Sequence, residues 1–193
     1  MDVNLDELKK NLGPLFPLMG VWEGEKGDDI APSDDRGTEN NKYRERFKLE
    51  SIGPVQNHEQ NLHVLRYSTM AWRIGEQNSF HEELGYWSWE PSTKQVVRVF
   101  VIPRGISVMA GGTVEYDAKE INLKAEVGSC TYGICTNPFL DREFRILRYD
   151  LNIKILSETS FSYDQTTTIQ MPNRPEPFAH RDRNTLTLVS KQC

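Results

Sequence analysis

Short runs in which apolar and polar residues alternate dominate this sequence, and they constrain its fold more than any other feature. The runs recur from Lys42 to the end of the chain and are separated by Gly, Pro, Asn or Asp. A period of two residues is typical of β-strands that have one buried face. Together with a strand at Trp22, the runs predict an all-β protein of ten strands.

The connections between these runs predict how the strands pair. Several joins, such as residues 90–93 and 117–119, are short enough for hairpins, so consecutive strands are expected to pair antiparallel as a meander. A two-sheet sandwich could hold the same strands, but closure into a barrel removes unpaired edges and is favoured for that reason. A barrel of this size can hold one small ligand, so the fold itself predicts a cavity.

The N-terminal segment differs from the rest of the chain. Leucines recur at spacings of three and four within residues 5–12, just before a Gly-Pro pair, which predicts a short helix within residues 1–14. Residues 15–193 are assigned to the barrel, and the whole chain, 1–193, to a single domain. Segments near residues 25–41 and 128–141 lack the alternating pattern and are predicted to be long loops.

Composition excludes several classes of partner. The formal net charge is −5 and the pI is about 5.5, without the clustered basic face that nucleic-acid binding requires. No stretch approaches the length of a membrane span and no signal peptide is evident, so a cytoplasmic location is expected. The sequence leaves the oligomeric state open.

The three cysteines do not suggest a disulfide framework. Cys130, Cys135 and Cys193 are an odd number, and they lack the second ligand pair of a zinc site. Free thiols are the favoured interpretation, and a loop disulfide between Cys130 and Cys135 is the alternative.

A Gly-x-Trp sequence at Gly20 and Trp22 opens the first strand. Glycine allows the preceding turn to close tightly, and a tryptophan is large enough to plug one end of a small barrel. Trp22 is therefore a candidate ligand-contact residue. The alternative is that it is an ordinary core tryptophan at a strand entry.

The strand from His81 to Trp89 carries the strongest functional signal. Its odd-numbered face holds two tryptophans and is expected to face inward, together with His81 and Glu83. An inward carboxylate requires a partner or a wet cavity. Glu83 either pairs with Arg98 or Arg104 as a structural tie, anchors a ligand, or takes part with His81 in acid–base chemistry.

Two further residues are candidates for binding. Arg104 follows a proline that ends a strand, so its guanidinium is placed either to bind an anionic ligand group at the rim or to remain a solvated surface charge. His180 faces inward if the register of the last strand extends back to it. A lone histidine of this kind is either structural or a metal ligand.

Four segments, taken in order, resemble a known family: residues 20–24, residues 80–86 with a His-x-Glu-x-Gly-aromatic pattern, residues 104–108, and His180. The chain resembles the nitrobindin-like and fatty-acid-binding-protein-like β-barrels, which are calycin or lipocalin-like. The resemblance implies a cavity that contains Phe80 and His81. It also implies haem b with His180 as the axial iron ligand, and from that a nitric oxide-related role or peroxynitrite isomerase activity.

The sequence also departs from the haem-binding pattern. Charged residues 181–183 directly follow His180, which is awkward against a porphyrin. We therefore expect a barrel that binds either haem or another small hydrophobic or amphipathic ligand. The candidate ligand-binding residues are Trp22, Phe80, His81, Glu83, Arg104 and His180.

Two other classes of function stay open from the sequence. The first is a small-barrel isomerase or lyase that uses Glu83, His81 and Arg104 for acid–base chemistry. The second is an interaction scaffold with a filled barrel, in which the two long loops bind another protein.

Overall fold

Eleven strands form a closed barrel in the computed structural model, which describes residues 4–191. A helix, α1 (Leu5–Leu12), and a 3₁₀ helix (Gly13–Leu18) precede the strands, and a short helix, α2 (Pro138–Glu143), lies between β8 and β9. The strands are β1 (Gly20–Ala31), β2 (Glu39–Asn57), β3 (Gln60–Arg73), β4 (His81–Glu90), β5 (Gln95–Ile102), β6 (Ile106–Thr113), β7 (Glu120–Val127), β8 (Gly133–Thr136), β9 (Arg145–Ser157), β10 (Ser160–Gln170) and β11 (Phe178–Ser190).

The predicted all-β barrel with a short N-terminal helix is confirmed, with eleven strands rather than ten. The order around the barrel is β1-β11-β10-β9-β7-β8-β6-β5-β4-β3-β2. The meander is interrupted at one place, where β8 inserts between β6 and β7 and pairs parallel with β7. A strand of four residues, within the segment predicted to be a loop, is too short to show an alternating pattern.

The segments predicted to be long loops near 25–41 and 128–141 are largely ordered elements. β1 continues to Ala31 and β2 begins at Glu39, so the connection spans only residues 32–38. The extended part of β1 has an inward face made of glycine and aspartate, including buried Asp29, which explains why it lacks an apolar signal. Residues 128–141 likewise contain β8 and the start of α2.

The N-terminal helices close one end of the barrel. Leu12, Leu15 and Leu18 are almost completely buried. The Trp22 indole Nε1 donates a hydrogen bond to the Leu18 carbonyl oxygen at 2.8 Å, and its ring lies edge-on to Phe161 with centroids 4.9 Å apart. This end of the barrel is therefore packed. None of the helices among the described residues is long and apolar enough to span a membrane.

Glycine is required where strands approach closely. Gly20 has φ +141°, a backbone conformation that other residues rarely adopt. A Cβ at Gly112 would lie 2.2 Å from the Asn122 carbonyl oxygen, so β6 could not run past this backbone with a side chain there. Gly112 thus marks a close approach between the backbones of β6 and β7.

The two cysteines within the described residues, Cys130 and Cys135, are exposed free thiols, which agrees with the favoured interpretation. Cys193 lies outside the described residues.

Candidate functional site

The half of the barrel that lies farther from the N-terminal helices contains a cavity of about 770 Å³. Side chains from almost every strand reach it, because inward-facing residues alternate along each strand. Its size lies within the range of about 300–1,000 Å³ that is usual for sites that hold small molecules. This excludes a completely filled barrel, on which the interaction-scaffold hypothesis depended.

The cavity has a polar side and an apolar side, which follow the strand order. The polar side comes from the neighbouring strands β11, β1 and β2 and from β4 and β5, and comprises Asp29, Glu45, His81, Glu83, Arg98, His180 and Asp182. The apolar side comes mainly from β5, β6 and β9, and includes Phe100, Ile102, Ile106, Val108, Ile146 and Ile153. Such a cavity suits a ligand that is itself amphipathic.

Glu83 and Arg98 form a buried ion pair at the centre of the polar side. Arg98 Nη2 donates to Glu83 Oε2 at 2.5 Å, and both side chains are only 3% exposed. The Tyr67 hydroxyl donates to the same Glu83 oxygen, and Arg98 also donates to the Tyr149 hydroxyl. A network in which the charges are paired and the hydroxyls have partners offsets the cost of burying these groups.

The state of Glu83 argues against its use as a base. Burial favours its neutral form, but the charge of Arg98 and the hydrogen bond from His81 outweigh burial and lower the pKa of Glu83 to about 2. His81 Nε2 lies 3.0 Å from Glu83 Oε1, and this contact raises the pKa of His81 against the effect of its own burial. Because an effective general base has a pKa near the working pH, this arrangement does not support proton abstraction by Glu83.

His180 lies between two aspartates on the polar side. Its Nε2 is 2.8 Å from Asp29 Oδ1 and 3.6 Å from Asp182 Oδ1. Burial disfavours a charged imidazole, but the two carboxylates outweigh it and raise the pKa of His180 to about 10. The other oxygens of the two aspartates accept from Asn41 and Gln165. At neutral pH His180 is therefore an imidazolium held in an ion pair.

Within the part of the chain that the structure describes, the same three residues form the group of side chains that could hold a metal ion. Donor atoms of Asp29, His180 and Asp182 all lie within 4.8 Å of one another. A metal bound through His180 Nε2 would have to displace the proton that this nitrogen shares with Asp29, because only an unprotonated ring nitrogen can coordinate.

Glu45, which the sequence interpretation missed, is the third buried carboxyl group of the cavity. The Tyr163 hydroxyl lies 2.9 and 3.0 Å from its two oxygens, and Asn184 donates to it at 2.7 Å. Burial raises the pKa of Glu45 to about 8, with a smaller contribution from the charges of Asp182 and Glu83. The signal was available in the sequence, since Glu45 shares a strand face with Tyr43 and Phe47.

The remaining predicted residues occupy two different regions. Phe80 and Arg104 line the mouth of the cavity, where Phe80 is 37% exposed. Phe80 and His81 do lie at the cavity, as the resemblance implied. Trp22 is in the packed end and does not line the cavity, so the structure does not bring it together with the other candidates. Arg104 makes no ion pair with Glu83, which pairs with Arg98 instead.

Comparison with known proteins places the chain in a family. A family model described as the THAP4-like, heme-binding beta-barrel domain matches residues 11–187. The chain belongs to this family. The nitrobindin-like resemblance that the sequence motifs indicated is thereby confirmed.

A solved structure agrees in fold. The crystal structure of Rv2717c from M. tuberculosis superposes with a TM-score of 0.66 at 20% sequence identity, over 95% of this chain and 98% of that one. A search of the curated proteins found no match.

The family description implies haem, and the side chains of this cavity do not fit the axial ligation expected of it. An axial histidine needs a ring nitrogen that is free to coordinate iron. The Nε2 of His180 is instead committed to Asp29, and the high pKa of His180 keeps the ring protonated at neutral pH. Asp182, two residues later on the same strand face, adds a second carboxylate at this point.

Proposed function

We propose that this chain binds a small amphipathic molecule inside its barrel, with the apolar part packed against the β5, β6 and β9 side and the polar part directed to the opposite side. The observation that carries the proposal is the division of one cavity of about 770 Å³ into two chemically different walls. Membership in a ligand-binding barrel family supports it.

Unused hydrogen-bond donors support a ligand with a polar group. Among the described residues, Trp87 Nε1 and Arg98 Nε are buried and have no hydrogen-bond partner. Both residues line the cavity, whereas Trp89, whose Nε1 is also buried without a partner, does not. Because leaving a buried donor unsatisfied costs about 1–3 kcal/mol, a ligand acceptor or a trapped water near either atom would be favourable.

The first experiment is native mass spectrometry of the purified protein, which detects any small molecule that travels with it. The second is a titration with a neutral apolar fluorescent dye. Val108→Phe places extra volume on the apolar side of the cavity and is expected to weaken dye binding about tenfold. The matched control is Leu84→Phe, because Leu84 is 52% exposed on the outer face. Equal binding by both variants would overturn the proposal.

Haem is a second candidate, which the family description favours. The pairing of His180 favours a different ligand, so we expect ferric haem at neutral pH to give no Soret shift that depends on His180. Titrations of the parent protein and of His180→Ala decide the point. A Soret shift in the parent that is lost in His180→Ala would overturn our choice and establish haem with His180 as its ligand.

A further inference from the structure

Glu45 is a buried carboxyl group that has no cationic partner within the described part of the chain. Among residues 4–191, no lysine, arginine or histidine lies within the 4.0 Å salt-bridge distance of its oxygens. Its protein donors are the Tyr163 hydroxyl and the Asn184 amide. Because a carboxylate has about four lone-pair sites, two donors leave it capable of accepting further hydrogen bonds.

The polar side of the cavity lacks one positive charge. Its four carboxyl groups belong to Asp29, Glu45, Glu83 and Asp182, and its three basic groups belong to His81, Arg98 and His180. The cavity-lining residues Asp34, Glu39, Arg73, Glu82 and Arg104 are not part of this set. Arg98 and His81 pair with Glu83, and His180 lies between Asp29 and Asp182. When the basic groups are charged, every carboxylate except Glu45 has a neighbouring cation. The unmatched group therefore needs either a proton or an external cation.

Several aromatic side chains lie close to Glu45. Tyr43 and Phe47 lie two residues before and after it on the same inward face of β2, and all three line the cavity. Tyr163 packs against Phe47 with ring centroids 5.9 Å apart, and Tyr43 packs against Phe80 at 6.2 Å. Faces of aromatic rings attract ammonium groups, which is how many proteins bind such ligands.

We propose that the molecule bound in the cavity carries a protonated amine and that the ammonium group pairs with the Glu45 carboxylate. The inference rests on the proposed function and names the chemical class of its ligand: an apolar body with one basic nitrogen. Without the ligand, Glu45 holds a proton. When an alkylammonium enters, that proton leaves to solvent and the ion pair forms.

The groups around Glu45 are consistent with this exchange. The titratable groups that face it are Tyr43 from its own strand, Glu83 from β4, Tyr163 from β10 and Asp182 from β11. None of them supplies a positive charge. The hydroxyls of Tyr163 and Tyr43 lie 2.6 Å apart, so the pair can reverse its hydrogen-bond direction and serve Glu45 in either protonation state.

The test compares octylamine with octan-1-ol, two probes with the same apolar chain, by calorimetry at pH 7. Octylamine is expected to bind at least about tenfold more tightly than octanol, as for a hydrogen-bonded buried charge. Glu45→Gln, which keeps the side-chain shape, should bring the two affinities to within about threefold. The matched control, Glu23→Gln, changes an exposed glutamate of β1 and should retain the preference.

Proton release provides a readout that needs no variant. Calorimetry in buffers of different ionisation enthalpy should show release of about one proton per octylamine bound and none for octanol, as linkage requires. If Glu45→Gln does not fold, this measurement decides alone. Absence of proton release would then overturn the inference.

The outcomes separate the two proposals. Equal affinities of octylamine and octanol for the parent protein would overturn the amine inference and leave cavity binding intact. A preference for octylamine that persists in Glu45→Gln would place the amine elsewhere and also overturn it. If neither probe binds, the proposed function and the inference fail together.

Discussion

His180 Nε2 lies 2.8 Å from Asp29 Oδ1, which makes the residue implied as an iron ligand part of a buried ion pair. The contact joins β1 to β11, the two strands whose pairing closes the barrel. Asp29 of β1 lies opposite Asp182 of β11, which is two residues beyond His180. One pair of side chains thus ties the first strand to the last. It also commits Nε2, one of the two ring nitrogens of His180, to a carboxylate.

The protonation state of His180 can be measured directly. We predict a histidine pKa well above the usual 6.5 in NMR titration, with the signal assigned by its absence in His180→Gln. Asp182→Asn should lower this pKa by at least about one unit, because the Asp182 charge is the largest influence that raises it. An unchanged His180 pKa in Asp182→Asn would show that the Asp182 charge does not raise it.

The same shift predicts how His180 contributes to stability. A folded-state pKa of about 10, against an ordinary value of 6.5, means that the contribution is fully present below about pH 6.5 and is lost as pH rises through about 10. The stability of His180→Gln should therefore vary less with pH over this interval than that of the parent. Denaturant titrations at pH 6.5 and pH 10 provide the comparison.

The ion pair of Glu83 and Arg98 predicts a large asymmetry between single and double substitutions. Glu83→Gln leaves the buried Arg98 charge without a partner and is expected to cost about 3–5 kcal/mol of unfolding free energy. The double variant Glu83→Gln with Arg98→Met should recover part of this loss because neither member of this pair is then a buried charge. Urea denaturation measures both.

A surface pair supplies the control for that prediction. Glu50 contacts Arg66 at 3.2 Å, and the Arg66 side chain is more than half exposed. Glu50→Gln should cost less than about 1 kcal/mol. Equal costs at the two pairs would show that burial does not determine the strength of the Glu83 interaction.

The sequence predicts the barrel because alternation and turn residues act locally. The inward face of β4 follows from its two tryptophans, and burial of Glu83, Trp87 and Trp89 agrees with that register. Strands that line the cavity carry a weaker apolar signal. The inner face of β1 near Asp29 is polar because it lines a cavity. A prediction that expects apolar residues on the inner face of every strand therefore assigns this segment to a loop.

Charge pairing depends on contacts between distant parts of the chain, so the partner of a charged residue cannot be predicted from the local sequence pattern. His180 meets Asp29 across 151 positions, and Glu45 meets Asn184 across 139. The sequence therefore identified His180 as inward-facing but gave no means to predict its cationic state. It likewise gave no means to predict which carboxyl group has no cation beside it.

Gly112 is expected to be intolerant of even a methyl group. Alanine usually suits a strand better than glycine, because glycine loses more backbone freedom on folding. Here the added Cβ would lie 2.2 Å from the Asn122 carbonyl oxygen. We predict that Gly112→Ala costs about 1–3 kcal/mol, the usual range for overpacking, whereas Thr113→Ala, at an exposed neighbouring position, has a small effect. Thermal unfolding of the two variants should differ accordingly.

Glu45→Gln should stabilise the protein at alkaline pH. The pKa of Glu45 rises from 4.5 to about 8 on folding. Between pH 4.5 and about pH 8, the folded state therefore holds a proton that the unfolded state has released. The folded protein loses this stabilisation as the pH rises through about 8. At about 1.4 kcal/mol for each pKa unit, the effect has an upper limit of about 5 kcal/mol. The neutral amide does not titrate and can donate to Tyr163. Urea denaturation should therefore give similar stabilities for parent and variant at pH 5 and a more stable variant at pH 9. Parallel pH profiles for the two proteins would show that Glu45 ionises normally in the folded state, and Glu23→Gln should follow the parent throughout.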